Sequence, residues 1–211
     1  MGGDHSSAIG SVSGHAATES RLGLLWIDAH SDINTDASTI TGNIHGMPVS
    51  ALMGFGHEKL CSVYGEQPKI LPEDVVLFGL RDVDPLEADI IERLNIRCYY
   101  FSEIMQRGLD VCLNEIKSCF SKVSRLHVSF DLDSMDPAYI KGVSVPAADG
   151  FLEQDVFHIF ERVLPEYHIS MIDIVEYNPF NDTDGETGAF TERLIRRILS
   201  GAFLPSGSNR K

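Results

Sequence analysis

Three short stretches carry residues whose types and spacing suit metal chemistry. Asp28, His30 and Asp32 alternate with Ala29 and Ser31; Asp131 and Asp133 repeat the spacing later; His5 sits in a Gly2-Gly3-Asp4-His5 turn. Just past the end of a strand, alternate residues turn their side chains toward one side, so such triplets can converge on a point. Four carboxylates gathered together repel one another and raise one another's pKa values, and a cation must compensate them. Two divalent ions bring about +4 and four carboxylates about −4, with neutral imidazoles adding nothing. Carboxylate and imidazole without thiolate suit Mn²⁺, Fe²⁺ or Zn²⁺ better than Ca²⁺. Either triplet alone occurs by chance in many proteins; both together, each at a strand end, point to a metal site.

The segments around these residues read as strands. Apolar, β-branched and aromatic runs at 22–28 (LGLLWID), 75–79, 96–101, 126–131 and 169–177 have the length and composition of buried strands. Amphipathic segments at 6–19, 48–55, 85–94, 109–123, 153–164 and 187–199 read as helices. Asp84 precedes Pro85 and suits the cap of the third helix, with Pro at its first position. Alternating strands and helices predict a three-layer α/β/α fold with a mainly parallel sheet. Such sheets bind ligands outside the carboxyl ends of their strands. Three of the runs end in polar clusters: Asp28 to Asp32, Asp131 to Asp133, and Glu176-Tyr177-Asn178-Pro179. These clusters are expected at one edge of the sheet.

Composition bounds the rest. The 211 residues fit one sizeable domain spanning 1–211 and are short for two, and 43% hydrophobic with 23% charged residues is ordinary for a globular chain. A formal charge of −14 disfavours nucleic acid as a partner; it serves solubility first and attraction of a cationic substrate second. No apolar run reaches the roughly 18 residues that span a bilayer, and no basic-then-apolar leader opens the chain; no membrane partner and a cytoplasmic location are expected. Cys61, Cys98, Cys112 and Cys119 form no C-x-x-C pair and read as packing residues or free thiols. His15, His57, His127, His158 and His168 read as surface or satisfied core histidines, and the aromatic spacing from Phe151 to Phe160 as helix packing.

GGDHS (2–6), DAHSD (28–32) and SFDLDSMDP (129–137), in this order, resemble the arginase–agmatinase–formiminoglutamase family, the ureohydrolases. The resemblance runs from residue 2 to about residue 200. It implies a binuclear manganese centre, two Mn²⁺ per subunit, in a homo-oligomer (trimer or hexamer). One ion would be held by His5, Asp28, Asp32 and Asp131, the other by Asp28, His30, Asp131 and Asp133, with Asp28 and Asp131 bridging. Within the family, Ile33-Asn34-Thr35 and Thr41-Gly42-Asn43-Ile44-His45-Gly46 look arginase-like. Asn34, Thr41 and Asn43 would then bind the α-carboxylate of L-arginine and Asp84 its α-amino group, with His30 and Glu176 completing the substrate contacts. The implied reaction is hydrolysis of the guanidinium group to L-ornithine and urea by a hydroxide bridging the metals. Glu176 would hold the guanidinium, Asp32 accept a proton and His45 shuttle one to the leaving amine. The bland readings are a loop residue for His45, a turn cap for Glu176 and a helix cap for Asp84.

Two departures keep alternatives open. Val145 stands where arginases usually carry Thr, and Gly142-Val143-Ser144-Val145-Pro146 looks nearer to formiminoglutamase-like relatives. A formiminoglutamase- or agmatinase-type activity is one alternative. The family also has a long segment, with strands of the same sheet, ahead of the first motif. This chain is expected to lack it, which leaves His5 without a preceding strand to hold it. A truncated, non-catalytic remnant that retains its metal ligands is the other alternative.

Overall fold

The computed structural model describes residues 3–65 and 67–201; Gly2 of the first motif lies outside them. Five strands form one sheet: β1 (Leu22–Ile27), β2 (Val75–Leu80), β3 (Arg97–Tyr100), β4 (Arg125–Asp131) and β5 (Ile169–Val175). Their order is β3-β2-β1-β4-β5, and every pairing is parallel. The helices are α1 (Ser7–Ala16), α2 (Pro48–Leu52), α3 (Glu58–Cys61), α4 (Pro85–Leu94), α5 (Phe101–Arg107), α6 (Leu109–Cys119), α7 (Glu153–Glu166) and α8 (Glu186–Ser200). Among the described residues no helix is long and apolar enough to cross a membrane.

Period-two alternation sorts the strand side chains into two cores. Leu25, Ile27, Val76, Phe78, Val128 and Phe130 pack with Ile116 of α6, Phe160 of α7 and Phe190 of α8. Leu24, Trp26, Val75 and Leu77 pack on the other face with Ala8 and Val12 of α1, Leu52 of α2 and Ile91 of α4. The expected three layers are therefore present. β1 and β2 are buried on both faces, which is why they read as continuous apolar runs. β4 differs: Leu126, Val128 and Phe130 enter the first core, whereas His127, Ser129 and Asp131 alternate with them.

Several boundaries differ from the sequence reading. The 96–101 run ends at Tyr100, because Phe101 begins α5, a helix too short to announce itself by periodicity. The 48–55 helix stops at Leu52, where Gly54 takes a left-handed conformation (φ 84°) that ends the turn. The 169–177 strand stops at Val175, leaving Glu176 outside the ladder. Phe151 precedes α7 rather than riding on it and stacks on Phe78, with ring centroids 5.8 Å apart. The other histidines behave as core or surface residues. His127 is fully buried and bonded to Asp173 Oδ2 at 2.9 Å, and His158 meets Asp110 at 2.9 Å on the surface. All four cysteines are free thiols.

From β1 the chain winds outward through β2 and β3, then returns to lay β4 on the opposite side of β1. The sheet thus reverses winding between β1 and β4. Parallel sheets open a crevice at the carboxyl ends of such a pair, and Asp28 and Asp131 stand at those two ends.

Candidate metal centre

Asp28 joins the end of β1 to its loop and divides its two oxygens. Oδ2 lies 2.9 Å from His5 Nδ1, and Oδ1 lies 3.4 Å from His30 Nδ1. Around His5 Nδ1 gather Asp131 Oδ2 at 2.9 Å and Asp32 Oδ2 at 3.2 Å. Around His30 Nδ1 stands Asp133 Oδ2 at 3.1 Å. Two donor groups result, His5–Asp28–Asp131 and Asp28–His30–Asp133, with Asp28 in both. Asp131 belongs to the first group; its Oδ1 accepts the backbone N–H of Asp133 at 2.7 Å, which turns Asp133 toward the second.

His5 Nδ1 and Asp28 Oδ2 are buried and lack a partner in hydrogen-bonding geometry although they are in close contact. Donor atoms that crowd together without donating to one another are what ligands aimed at a common cation present. The donor set is nitrogen and carboxylate oxygen only, which matches first-row divalent ions. The residues therefore fit a pair of such ions.

Protonation follows the crowding. Asp32 is pushed up to about 7, by burial and then by the Asp28 charge. Burial, then the Asp28 charge, lifts Asp133 to about 6. Burial and the charges of Asp133 and Asp28 raise Asp131 well above the carboxylate range. Burial alone would lower both imidazoles, but the carboxylates more than offset it: His30 rises to about 12 against Asp133 and Asp28, and His5 rises well above its ordinary value. Asp28 alone is depressed, since the two histidines outweigh its burial.

His5 is held despite the expectation that it would fray. Its backbone N–H donates to Glu176 Oε1 at 2.9 Å, and Glu176 N–H donates to Gly3 O at 2.9 Å. Its Nε2 meets Ser129 Oγ at 2.8 Å, and its ring stacks on Trp26 with centroids 3.7 Å apart. Two non-glycine residues with left-handed backbone, Asp32 (φ 48°) and Glu176 (φ 63°), flank the group. Such strain is tolerated where surrounding structure enforces it, and it clusters at functional sites.

A cleft of about 360 Å³ opens over the donors and is lined by His30, Asp32, Asn34, Thr41, Asn43, His45, Asp84, Asp131, Asp133 and Glu176, with Asp82 and Val145. Its size suits a small molecule. Every residue expected to bind substrate from the sequence reaches this cleft. Asn34 Nδ2 donates to Asp84 Oδ2 at 3.4 Å, so the two residues expected at opposite ends of an amino-acid head are neighbours. Asp84 also opens α4, its N–H donating to Glu87 Oε2 at 2.9 Å, so the helix-cap reading and the cleft-wall reading both hold. His45 Nδ1 lies 3.5 Å from Glu176 Oε1, in a short 3-10 turn spanning Ile44–Gly46.

Four contributors escaped the sequence reading: Trp26, Ser129, Arg81 and Asp82. Trp26 and Ser129 each stand two residues before a ligand, Asp28 and Asp131, hence on the same strand face. That periodicity was the signal. Asp82 Oδ2 lies 3.7 Å from His30 Nε2. Arg81 left no local signal, since its partners apart from Gly79 O are backbone carbonyls remote in sequence.

Known proteins resemble the chain along most of its length. The family model described as "Arginase family" matches residues 1–201. The chain is 36% identical over 204 residues to an arginase of Bacillus subtilis, covering 97% of this chain and 69% of that protein. It is 39% identical over 184 residues to arginase-1 of Homo sapiens, covering 85% of this chain and 57% of that protein. Among solved structures, the native arginase of Bacillus caldovelox at pH 5.6 superposes with a TM-score of 0.89 at 37% identity, over 92% of this chain and 65% of that one.

Proposed function

Because the chain belongs to the arginase family, we propose that it binds two manganese ions and hydrolyses the guanidinium group of L-arginine to L-ornithine and urea. The observation that carries this reading is the shared carboxylate of Asp28, with one oxygen in each donor group. His5, Asp28, Asp32 and Asp131 would hold one ion, and Asp28, His30, Asp131 and Asp133 the other. When bound, two such ions would supply a nucleophile near neutral pH by lowering the pKa of water.

The protein's own groups do the rest. Glu176, anchored by the His5 N–H through Oε1, accepts hydrogen bonds from the substrate's guanidinium and aims its carbon at the donors. Asp32, a carboxylate in the cleft wall, accepts a proton as the new C–O bond forms. His45, beside Glu176 and partly open to solvent, passes a proton to the departing amine. Asn34, Thr41 and Asn43 line the cleft with amides and a hydroxyl, donors for an α-carboxylate. Asp84 accepts from the α-ammonium group.

A direct test compares L-arginine with agmatine, which lacks the carboxylate, using urea release by the manganese-loaded protein. L-Arginine is expected to be favoured at least tenfold in kcat/KM, the order of about one charge-assisted hydrogen bond. Equal efficiency would remove Asn34, Thr41 and Asn43 from carboxylate recognition. Preference for agmatine or another amidine would reassign the substrate, and Val145, an apolar side chain in the cleft wall, is the first residue to explain it.

Manganese uptake is expected to release protons, because Asp32 near 7 and Asp133 near 6 must ionise and His5 and His30 must become neutral. Proton competition at His30 and His5 is already present at neutral pH, and the affinity weakens further as pH falls through 7 and toward 6, where Asp32 and Asp133 also take up protons. Calorimetric titration in buffers of different ionisation enthalpy measures the release directly; buffer-independent heats would contradict it.

A further inference from the structure

Arg81 follows β2 and lies between the two arms that carry the His30-side donors. Its own N–H and that of Asp82 donate to Ala29 O, at 2.9 and 3.1 Å, and Ala29 separates Asp28 from His30. Its guanidinium reaches the other arm. Nη2 donates to Asp133 O at 2.7 Å and to Met135 O at 3.2 Å, and Nη1 to Ser134 O at 3.2 Å. Nε donates to Ala148 O at 2.9 Å, tying in the loop ahead of α7. Phe101 backs the guanidinium at 5.7 Å from its ring centroid.

The pattern of partners is informative. Among the described residues, the hydrogen bonds of this guanidinium go to carbonyls, not to the nearby carboxylates. The guanidinium leaves the carboxylate oxygens of Asp28 and Asp133 to the site, where one oxygen of each accepts a backbone N–H, from His30 at 2.7 Å and from Ala29 at 3.4 Å, while the backbone that carries them is clamped. Only a planar fork with five donors can serve so many carbonyls at once; a lysine ammonium has three donors and no fork. The His5-side group has its own supports, Trp26, Ser129 and Glu176, and none of Arg81's bonds reaches them.

We infer that Arg81 is a positioning residue chiefly for one metal position: it sets the spacing of the Ala29–His30 turn from Asp133, and so the affinity of the His30-side ion more than that of the His5-side ion. This rests on the two-ion reading. The β1 and β4 ends are neighbours in the sheet, and past them, among the described residues, the only direct hydrogen bond between the two arms is the long one from Ala29 N–H to Asp133 Oδ1, at 3.4 Å; Arg81 adds a second tie, from the end of β2 across to the turn after β4. No ladder bond joins the turn after β2 to the turn after β4, and the Arg81 side chain spans that gap.

The test uses the full chain with Mn²⁺ and the variants Arg81→Lys and Arg81→Met. Total uptake is read by elemental analysis and calorimetry. Occupancy on the His5 side is read separately by fluorescence of Trp26, the single tryptophan of the chain, stacked on His5. Wild type is expected to take two ions. Both variants are expected to shift the fluorescence midpoint little and to lose about ten- to a hundredfold in affinity for one ion, the usual cost of removing a residue that orients a ligand. Arg81→Lys keeps the charge, so weakening there assigns the effect to the fork. Two ions bound by Arg81→Lys with wild-type affinities, or equal weakening of both ions, would overturn the role of Arg81. Wild type that takes fewer than two ions would instead overturn the two-ion reading, and the inference with it.

Discussion

Asp28→Asn is expected to empty both metal positions and to abolish urea release. Asp28 contributes an oxygen to each donor group, 2.9 Å from His5 Nδ1 and 3.4 Å from His30 Nδ1. An amide has one oxygen and no charge, so each ion loses part of its neutralising anion and one loses a ligand atom outright. Losing a mere supporting group costs roughly ten- to a hundredfold in metal affinity; loss of a shared ligand is expected to exceed about a hundredfold for both ions. Metal content after dialysis, with urea release measured in parallel, checks it. A variant that keeps two ions would show that Asp28 is not shared.

Glu176→Gln is expected to behave differently, with metal retained and turnover lost. Glu176 is buried and stands outside both donor groups, yet it lines the cleft and accepts the His5 N–H at 2.9 Å. Glutamine keeps a carbonyl oxygen for that bond, so His5 stays in place. What disappears is the negative charge facing a guanidinium. Charge-assisted hydrogen bonds contribute about 1.5–3 kcal/mol each, so one or two of them predict a loss in kcat/KM of at least about tenfold, extending beyond a hundredfold. Steady-state kinetics with L-arginine beside a metal assay separates the two cases. Loss of manganese together with activity would make Glu176 a support of His5 rather than a substrate anchor.

Much of the centre was legible in the sequence because its donors are local. Asp28, His30 and Asp32 share one loop, Asp131 and Asp133 another, and alternation at a strand end is readable without coordinates. The cleft wall was legible through the family resemblance rather than through spacing: Asn34, Thr41, Asn43 and His45 lie in the segment after the first acidic loop that looks arginase-like. Strand ends were less so. The apolar run around Glu176 suggests a strand, yet this residue adopts a left-handed backbone just past β5, a conformation set by its bonds to Gly3 and His5, far away in the chain.

What the sequence determined by itself is chemistry in short range: which acids and imidazoles occur, at what spacing, after which apolar runs. Period and composition suffice for that, since both act over a few residues. Tertiary structure alone decided that β4 lies against β1, that His5 stacks on Trp26, and that Arg81 spans from the end of β2 to the turn after β4. The reason is physical. A parallel pairing and a guanidinium bound to distant carbonyls both depend on where the chain returns, and no local propensity encodes that return.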